Sequence, residues 1–191
     1  MGTGIRLSDW VDFVAEATGK SVDAFPVRTL LGLLSATFET TAGWTWVTAG
    51  GRHGLLCLHP PAGWPPPGAV DLWSAHMFEH PLHRWYLRTR DIKPMTIERV
   101  PRQIADRRCL DFTRDALGSV DVAQQLGIPV TMPSRAGGGF GAFVVSRGGA
   151  DFTAGQLATA LQVQPLLMVL ERHADMTARA DADVAACFDL T

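Results

Sequence analysis

Five apolar residues, Val27, Leu30, Leu31, Leu34 and Phe38, recur at helical spacing, and then the period changes. From Gly43 onward Trp44 and Trp46 alternate with Thr45 and Val47. The first pattern lays one apolar stripe along a helix; the second belongs to a strand with two unlike faces. A chain that carries both so close together must build a sheet and cover it with helices. Gly50-Gly51 turns the chain and Leu55 to His59 returns, so residues 43–60 read as a hairpin.

The rest of the chain fits that scheme. Ser8 opens a first helix carrying Val11 and Val14, and Pro26 sits where a second helix begins. His59 to Gly68 holds five of the twelve prolines and reads as an irregular loop. Helices are expected over Ala69 to His80, Leu82 to Arg88 and Ile104 to Ala116. Strands are expected over Pro94 to Val100, Val122 to Met132 and Phe140 to Ser146, with a loop over Ala136 to Gly139. Thr153-x-x-Gln156 is a capping box that launches the longest helix, from Ala154 to about Ala174, with Pro165 inside it. Beyond His173 the sequence turns to Ala and Asp, a polar linker or a helical extension. The order implies an α+β fold with a mainly antiparallel sheet.

Composition narrows the function. The 191 residues are 47% apolar and 19% charged, with a net charge of −2, ordinary for a folded globule. Nothing approaches the roughly 18 apolar residues in a row that a membrane helix needs, and the N-terminus lacks the pattern of a secretory signal. A cytoplasmic protein is the expectation. The charge argues against this chain gripping nucleic acid by itself. From Arg84 to Arg114, however, nine basic side chains stand against four acidic ones, a solvated and internally paired helix face or an anion-facing surface. Three widely spaced cysteines, Cys57, Cys109 and Cys187, suit a reducing compartment with free thiols.

Three strings invite chemistry. His76-x-x-Glu79-His80 has the form of an inverted zinc-peptidase motif, but Pro81 ends the helix at the second ligand. His53, Cys57 and His59 could converge on a metal, yet a buried thiol beside a strand-end histidine explains them as well. Gly137-Gly138-Gly139-Phe140-Gly141 is followed by a strand where a phosphate loop needs a helix. No catalytic residue, metal ligand or cofactor is therefore assigned. What remains is an excess of aromatics: six tryptophans against one tyrosine. Trp44, Trp46, Trp73, Phe78, Trp85, Tyr86, Met95 and Phe112 could line an apolar ligand pocket or fill a core.

Several strings then fall in a familiar order. Phe25-Pro26 with Leu30, Leu33 and Leu34 is followed by Trp44-x-Trp46, Glu79-His80-Pro81-Leu82, Tyr86, Thr89-Arg90-Asp91 and Pro94-Met95. Leu126-Gly127-Ile128, Asp151-Phe152-Thr153 and Gln164-Pro165-Leu166-Leu167 complete the series. Over residues 10 to 175 the set resembles the GAF-like sensory half of LuxR-family transcriptional regulators, and Phe188-Asp189-Leu190-Thr191 is similar to the opening of their helix-turn-helix domain. His80 stands where the family often has Asn.

The resemblance implies a GAF-like α+β fold: five or six antiparallel strands flanked by helices, with a long C-terminal helix. It implies a sensory and dimerisation domain over 1–175 and a linker over 176–191 leading to an absent DNA-binding domain. It implies a non-enzymatic sensor of a small, partly apolar ligand, a homodimer through the terminal helices, and DNA contact only through the absent part. The alternatives are a pure dimerisation scaffold and, on the His76, Glu79 and His80 string, a zinc-dependent hydrolase.

Overall fold

The computed structural model describes residues 5–19, 25–47, 53–57, 76–109, 111, 115, 122–131 and 140–188. Two helices, α1 (Leu7–Thr18) and α2 (Val27–Phe38), precede the hairpin β1 (Thr41–Val47) and β2 (His53–Cys57). A 3₁₀ turn (Met77–Glu79) leads into α3 (Pro81–Thr89). Strands β3 (Met95–Thr96), β4 (Gln124–Thr131) and β5 (Phe140–Arg147) follow, and α4 (Ala154–Phe188) closes the order. The five strands form one antiparallel sheet in the order β2-β1-β5-β4-β3. The α+β class expected from the sequence, with five antiparallel strands and a long C-terminal helix, is the one observed.

Strand alternation gives this sheet two different faces. On one, the register sets Trp44 beside Leu56 and Phe143, and Phe143 beside Ile128; one pleat on, Ala42, Val145 and Leu126 are aligned. The stripe of α2 lands here, with Leu30, Leu31, Leu34 and Phe38 all buried. Trp10 and Val14 of α1 and Ala160, Val163, Leu167 and Leu170 of α4 join the same core. Each such large apolar side chain contributes roughly 1.5–3 kcal/mol by leaving water. Trp10 donates its indole N–H to Thr37 Oγ1 at 3.0 Å, tying α1 to α2. A smaller core lies on the opposite face, where Leu82 and Tyr86 of α3 meet Phe140, Ala142, Ile97, Val100, Ala105 and Cys109.

Local chemistry moved several boundaries. The first helix is capped from Arg6, whose backbone N–H donates to Asp9 Oδ2 at 2.8 Å, and not from Ser8. The helix expected to end at His80 gives way to the 3₁₀ turn; residues 69–75 lie outside the described set. His80 is held extended because it precedes a proline, and Pro81 then starts α3. The strand expected over 94–100 stops at Thr96, where turn bonds from Arg99 N–H to Thr96 C=O and from Val100 N–H to Ile97 C=O curl the chain. Ile97 and Val100 are still buried, so their apolar spacing reports a core contact made by a turn. The helix expected from Ile104 starts later: Asp106 Oδ1 accepts the backbone N–H of Cys109, and helical structure begins at 107. The capping box at Thr153 and Gln156 is present in both directions, at 3.0 and 3.2 Å. The helix it starts runs unbroken through 35 residues, so the Ala/Asp-rich stretch after His173 is helical as far as Phe188.

Candidate functional site

The face under α3 is the thin one. Gly43, Val144 and Gly127 are aligned across β1, β5 and β4, and Thr45, Ala142 and Pro129 form the next row. The opposite face carries Trp44, Phe143 and Ile128 at the corresponding height. Leu82 and Tyr86 of α3 pack over these small side chains. Tyr86 takes the space over Gly127, where an added Cβ would lie 3.0 Å from the tyrosine hydroxyl. That hydroxyl donates to Gly127 C=O at 2.9 Å. Burial pushes the phenol far above its ordinary pKa, while the backbone of Met95 acts in the opposite sense. Val144 and Thr45, further along the floor, are only half-buried.

Aromatic and polar groups rim this floor. Phe78, His83 and Phe140 stack edge to face in sequence, at 5.2 and 5.4 Å, and Phe140 leans on Tyr86 at 5.9 Å. The ring of Trp85 packs against the same core, and its indole N–H is buried with no hydrogen-bond partner. A buried donor left unpaired costs about 1–3 kcal/mol, which an acceptor brought by a ligand would recover. His80 Nε2 meets Gln125 Oε1 at 2.8 Å, and Gln125 Nε2 donates to Ser146 Oγ at 3.1 Å, so the start of α3 is pinned to β4 and β5.

The outer wall is held by charge. Arg84 reaches Asp106 at 2.5 Å and the thiol of Cys109 at 3.1 Å. The Arg84 hydrogen bond, with help from the Cys109 N–H, holds the Asp106 carboxyl down at about 2. Burial pushes the Cys109 thiol up, outweighing the guanidinium, so this is a packed sulfur and not an activated one.

Of the eight aromatic and methionine residues singled out from sequence, the six described ones divide between the two sheet faces. Trp85, Tyr86 and Met95 gather in the core under α3, and Phe78 stands at its rim with 53% of its surface exposed. Trp44 and Trp46 lie on the other face: Trp44 packs on Phe25 and Phe143, and the Trp46 ring covers Gly54. Trp73 and Phe112 fall outside the described residues. Residues the sequence reading missed are Gly43, Thr45, Val144 and Gly127, whose signal is the strand parity opposite to the tryptophans.

The His76-x-x-Glu79-His80 string does not lie on one helix: Glu79 stays within 3.7 Å of His76 and also takes Arg108 at 3.0 Å, while His80 turns to Gln125. Among the described residues no three His, Cys, Asp or Glu side chains are grouped to hold an ion. His59 and Gly137–Gly139 lie outside the described residues. Along the basic stretch, Arg84, Arg99, Arg102, Arg107 and Arg108 each face a carboxylate, so much of its charge is paired. No helix among the described residues is long and apolar enough to cross a membrane.

The elements thus define a class: an α+β domain with a large core on one face of its antiparallel sheet and a smaller, aromatic-rimmed core on the other. No protein-family model and no curated protein matches the chain. Solved structures do. The N-acylhomoserine lactone-dependent LuxR-family transcription factor CepR2 from Burkholderia cenocepacia matches over 91% of this chain and 94% of its own, with a TM-score of 0.51 and 9% identity. SdiA, solved in complex with octanoyl-rac-glycerol, matches over 94% of this chain and 68% of its own, with a TM-score of 0.51 and 11% identity. The GAF domain/HD domain protein from Geobacter sulfurreducens matches over 91% of this chain and 98% of its own, with a TM-score of 0.48 and 16% identity. At these identities the likeness is one of fold, and the fold is the one that the ordered strings implied.

Proposed function

We propose that this domain is a non-enzymatic regulatory sensor that binds a small, partly apolar molecule between the thin sheet face and α3. The observation that carries the reading is the asymmetry of the sheet, in a fold shared with an acylhomoserine lactone-dependent regulator and with an acylglycerol-bound protein. An acyl chain suits the floor of Gly43, Val144 and Ala142, and an acceptor oxygen suits the unpaired Trp85 N–H. Trp85, Tyr86, Met95 and Phe78 are the contacts retained from the sequence reading, and Trp73 and Phe112 stay candidates. Binding acts only if it favours one arrangement of α4 over another; α4 would pass that preference through residues 176–188 to a DNA-binding domain, in a cytoplasmic regulator.

Calorimetry and thermal unfolding with N-octanoylhomoserine lactone and octanoyl-glycerol test the reading. A probe at a hundred times its Kd raises stability by about 2.7 kcal/mol. Trp85→Phe keeps an aromatic side chain but removes the N–H donor together with the fused ring, weakening the bound probe by at least roughly 2- to 12-fold. Absence of any shift with both probes and with a wider panel of acyl esters and amides counts against a sensor.

A second reading rests on the exposed apolar residues of the terminal helices: Leu7 and Val11 on α1, and Leu161, Val169 and Met176 on α4. These suit a homodimer. A stable dimer in sedimentation that no acyl probe alters favours a scaffold; assembly that follows a bound probe favours the sensor.

A further inference from the structure

Gln164 lies in the middle of α4 and is buried, with 6% of its surface exposed. Its side-chain nitrogen donates to Pro129 C=O at 2.7 Å and also to Ile92 C=O. Both partners are carbonyls, so only the amide N–H₂ can face them, and both of its hydrogens are used. The two acceptors belong to different elements. Ile92 lies in the connection that leaves α3, just past Arg90, which caps that helix with a left-handed φ of 59°. Pro129 lies on β4, where the register with β5 breaks between Pro129 and Thr131.

The neighbour of Gln164 is Pro165. Its ring cannot donate to the Leu161 carbonyl, so α4 lacks one internal hydrogen bond at the turn that Gln164 anchors. A helix yields most readily where its ladder is already interrupted. We infer that Gln164 is a positioning residue that couples the exit of α3 to the bend-prone turn of α4. A displacement of α3 carries Ile92 with it while Pro129 stays in the sheet, and one amide cannot follow both carbonyls. The arrangement therefore has two states: the tie made and the Pro165 turn held, or the tie broken and the turn released. Its role as a relay rests on the sensor reading; the coupling itself does not.

Gly127→Ala supplies the displacement without a ligand. The new Cβ would meet Tyr86 at 3.0 and 3.2 Å and Leu82 at 3.3 Å, so α3 must give by a few tenths of an ångström. Hydrogen exchange of the whole chain is read on peptides covering 90–94 and 160–170, in the parent and in Gln164→Met, each with and without the wedge. The expected result is that the wedge speeds exchange in both peptides of the parent, roughly 2- to 10-fold, the equivalent of one weakened hydrogen bond. In Gln164→Met it should speed only 90–94. Gln164→Asn, whose amide is too short to span both carbonyls, should behave like Gln164→Met. In the unsubstituted parent, both peptides should open at the same urea concentration. The inference is overturned if the wedge speeds 160–170 equally with and without Gln164, if it leaves 160–170 unchanged in the parent, or if the peptides open at different urea concentrations. No ligand enters the measurement, so a chain that ignores both acyl probes can still show the coupling, and one that binds them can lack it.

Discussion

Tyr86 is the only tyrosine in the chain, so its ionisation can be followed without interference from another phenol. The perturbation is alkaline pH. In the folded chain the phenol is buried, donates to Gly127, and is held neutral far above its ordinary range. In the unfolded chain it ionises near pH 10. The unfolded state therefore loses this proton first. The stabilisation from the neutral buried phenol is complete below pH 10 and is lost as pH rises toward the folded value. The loss approaches about 1.4 kcal/mol per pH unit well above pH 10 and comes to about 2.3 kcal/mol between pH 10 and 12. For a chain of this size that lowers Tm by roughly 5–9 °C. Other groups titrate in the same window, so the comparison is with Tyr86→Phe. That variant is less stable by about 1–3 kcal/mol at neutral pH, because it leaves a buried carbonyl without its donor. Urea unfolding of the two proteins from pH 8 to 12 should give curves that converge, with the tyrosinate absorbance rising only as the protein unfolds. Parallel curves, or a tyrosinate band that appears near pH 10 while the circular dichroism stays native, would refute the claim that α3 seals Tyr86 onto the sheet.

Other outcomes follow from the same geometry. Leu167→Ala, at a fully buried position of α4, should cost about 2–5 kcal/mol in urea unfolding with an unchanged m-value. The Asp106 carboxyl, followed by NMR, should titrate near 2, and Arg84→Met should return it toward the ordinary carboxylate range. The sign is that of a depressed acid: the Arg84–Asp106 clasp supports the fold above about pH 4 and is lost as pH falls through the lower value. The Cys109 peptide should stay unmodified by an alkylating reagent in the native protein and react fully in urea, since the thiol is buried and pushed up.

How much of this was written in the sequence depends on which interactions set each element. The stripe from Val27 to Phe38 and the Thr153–Gln156 box are local patterns, and both elements appear where those patterns put them. The turn at Ile97 to Val100 is fixed by tertiary contact: its residues are apolar and buried, so spacing alone imitates a strand. The start of the helical stretch at 107 turns on one Asp106 cap that competing apolar periodicity hid. For the candidate site, conspicuous residues and the residues under α3 differ in strand phase. Trp44 and Trp46 drew the eye, whereas Gly43 and Thr45, one step out of phase, set the floor under α3. Which face of β1 the terminal helices cover is a matter of long-range packing, and the alternation of the strand could not decide it alone. The unpaired Trp85 N–H and the Gln164 tie are products of folding with no signature in composition or spacing.

The length of α4 changes the scale on which the Pro165 turn operates. From residue 165 to Phe188 the helix advances about 35 Å at 1.5 Å per residue. A tilt of roughly 5° at the proline then sweeps the tip through about 3 Å, a lever-arm gain set by the 1.5 Å rise. Under the inferred Gln164 coupling, shifts of a few tenths of an ångström beneath α3 would be geared up to distances comparable to a side chain at Phe188.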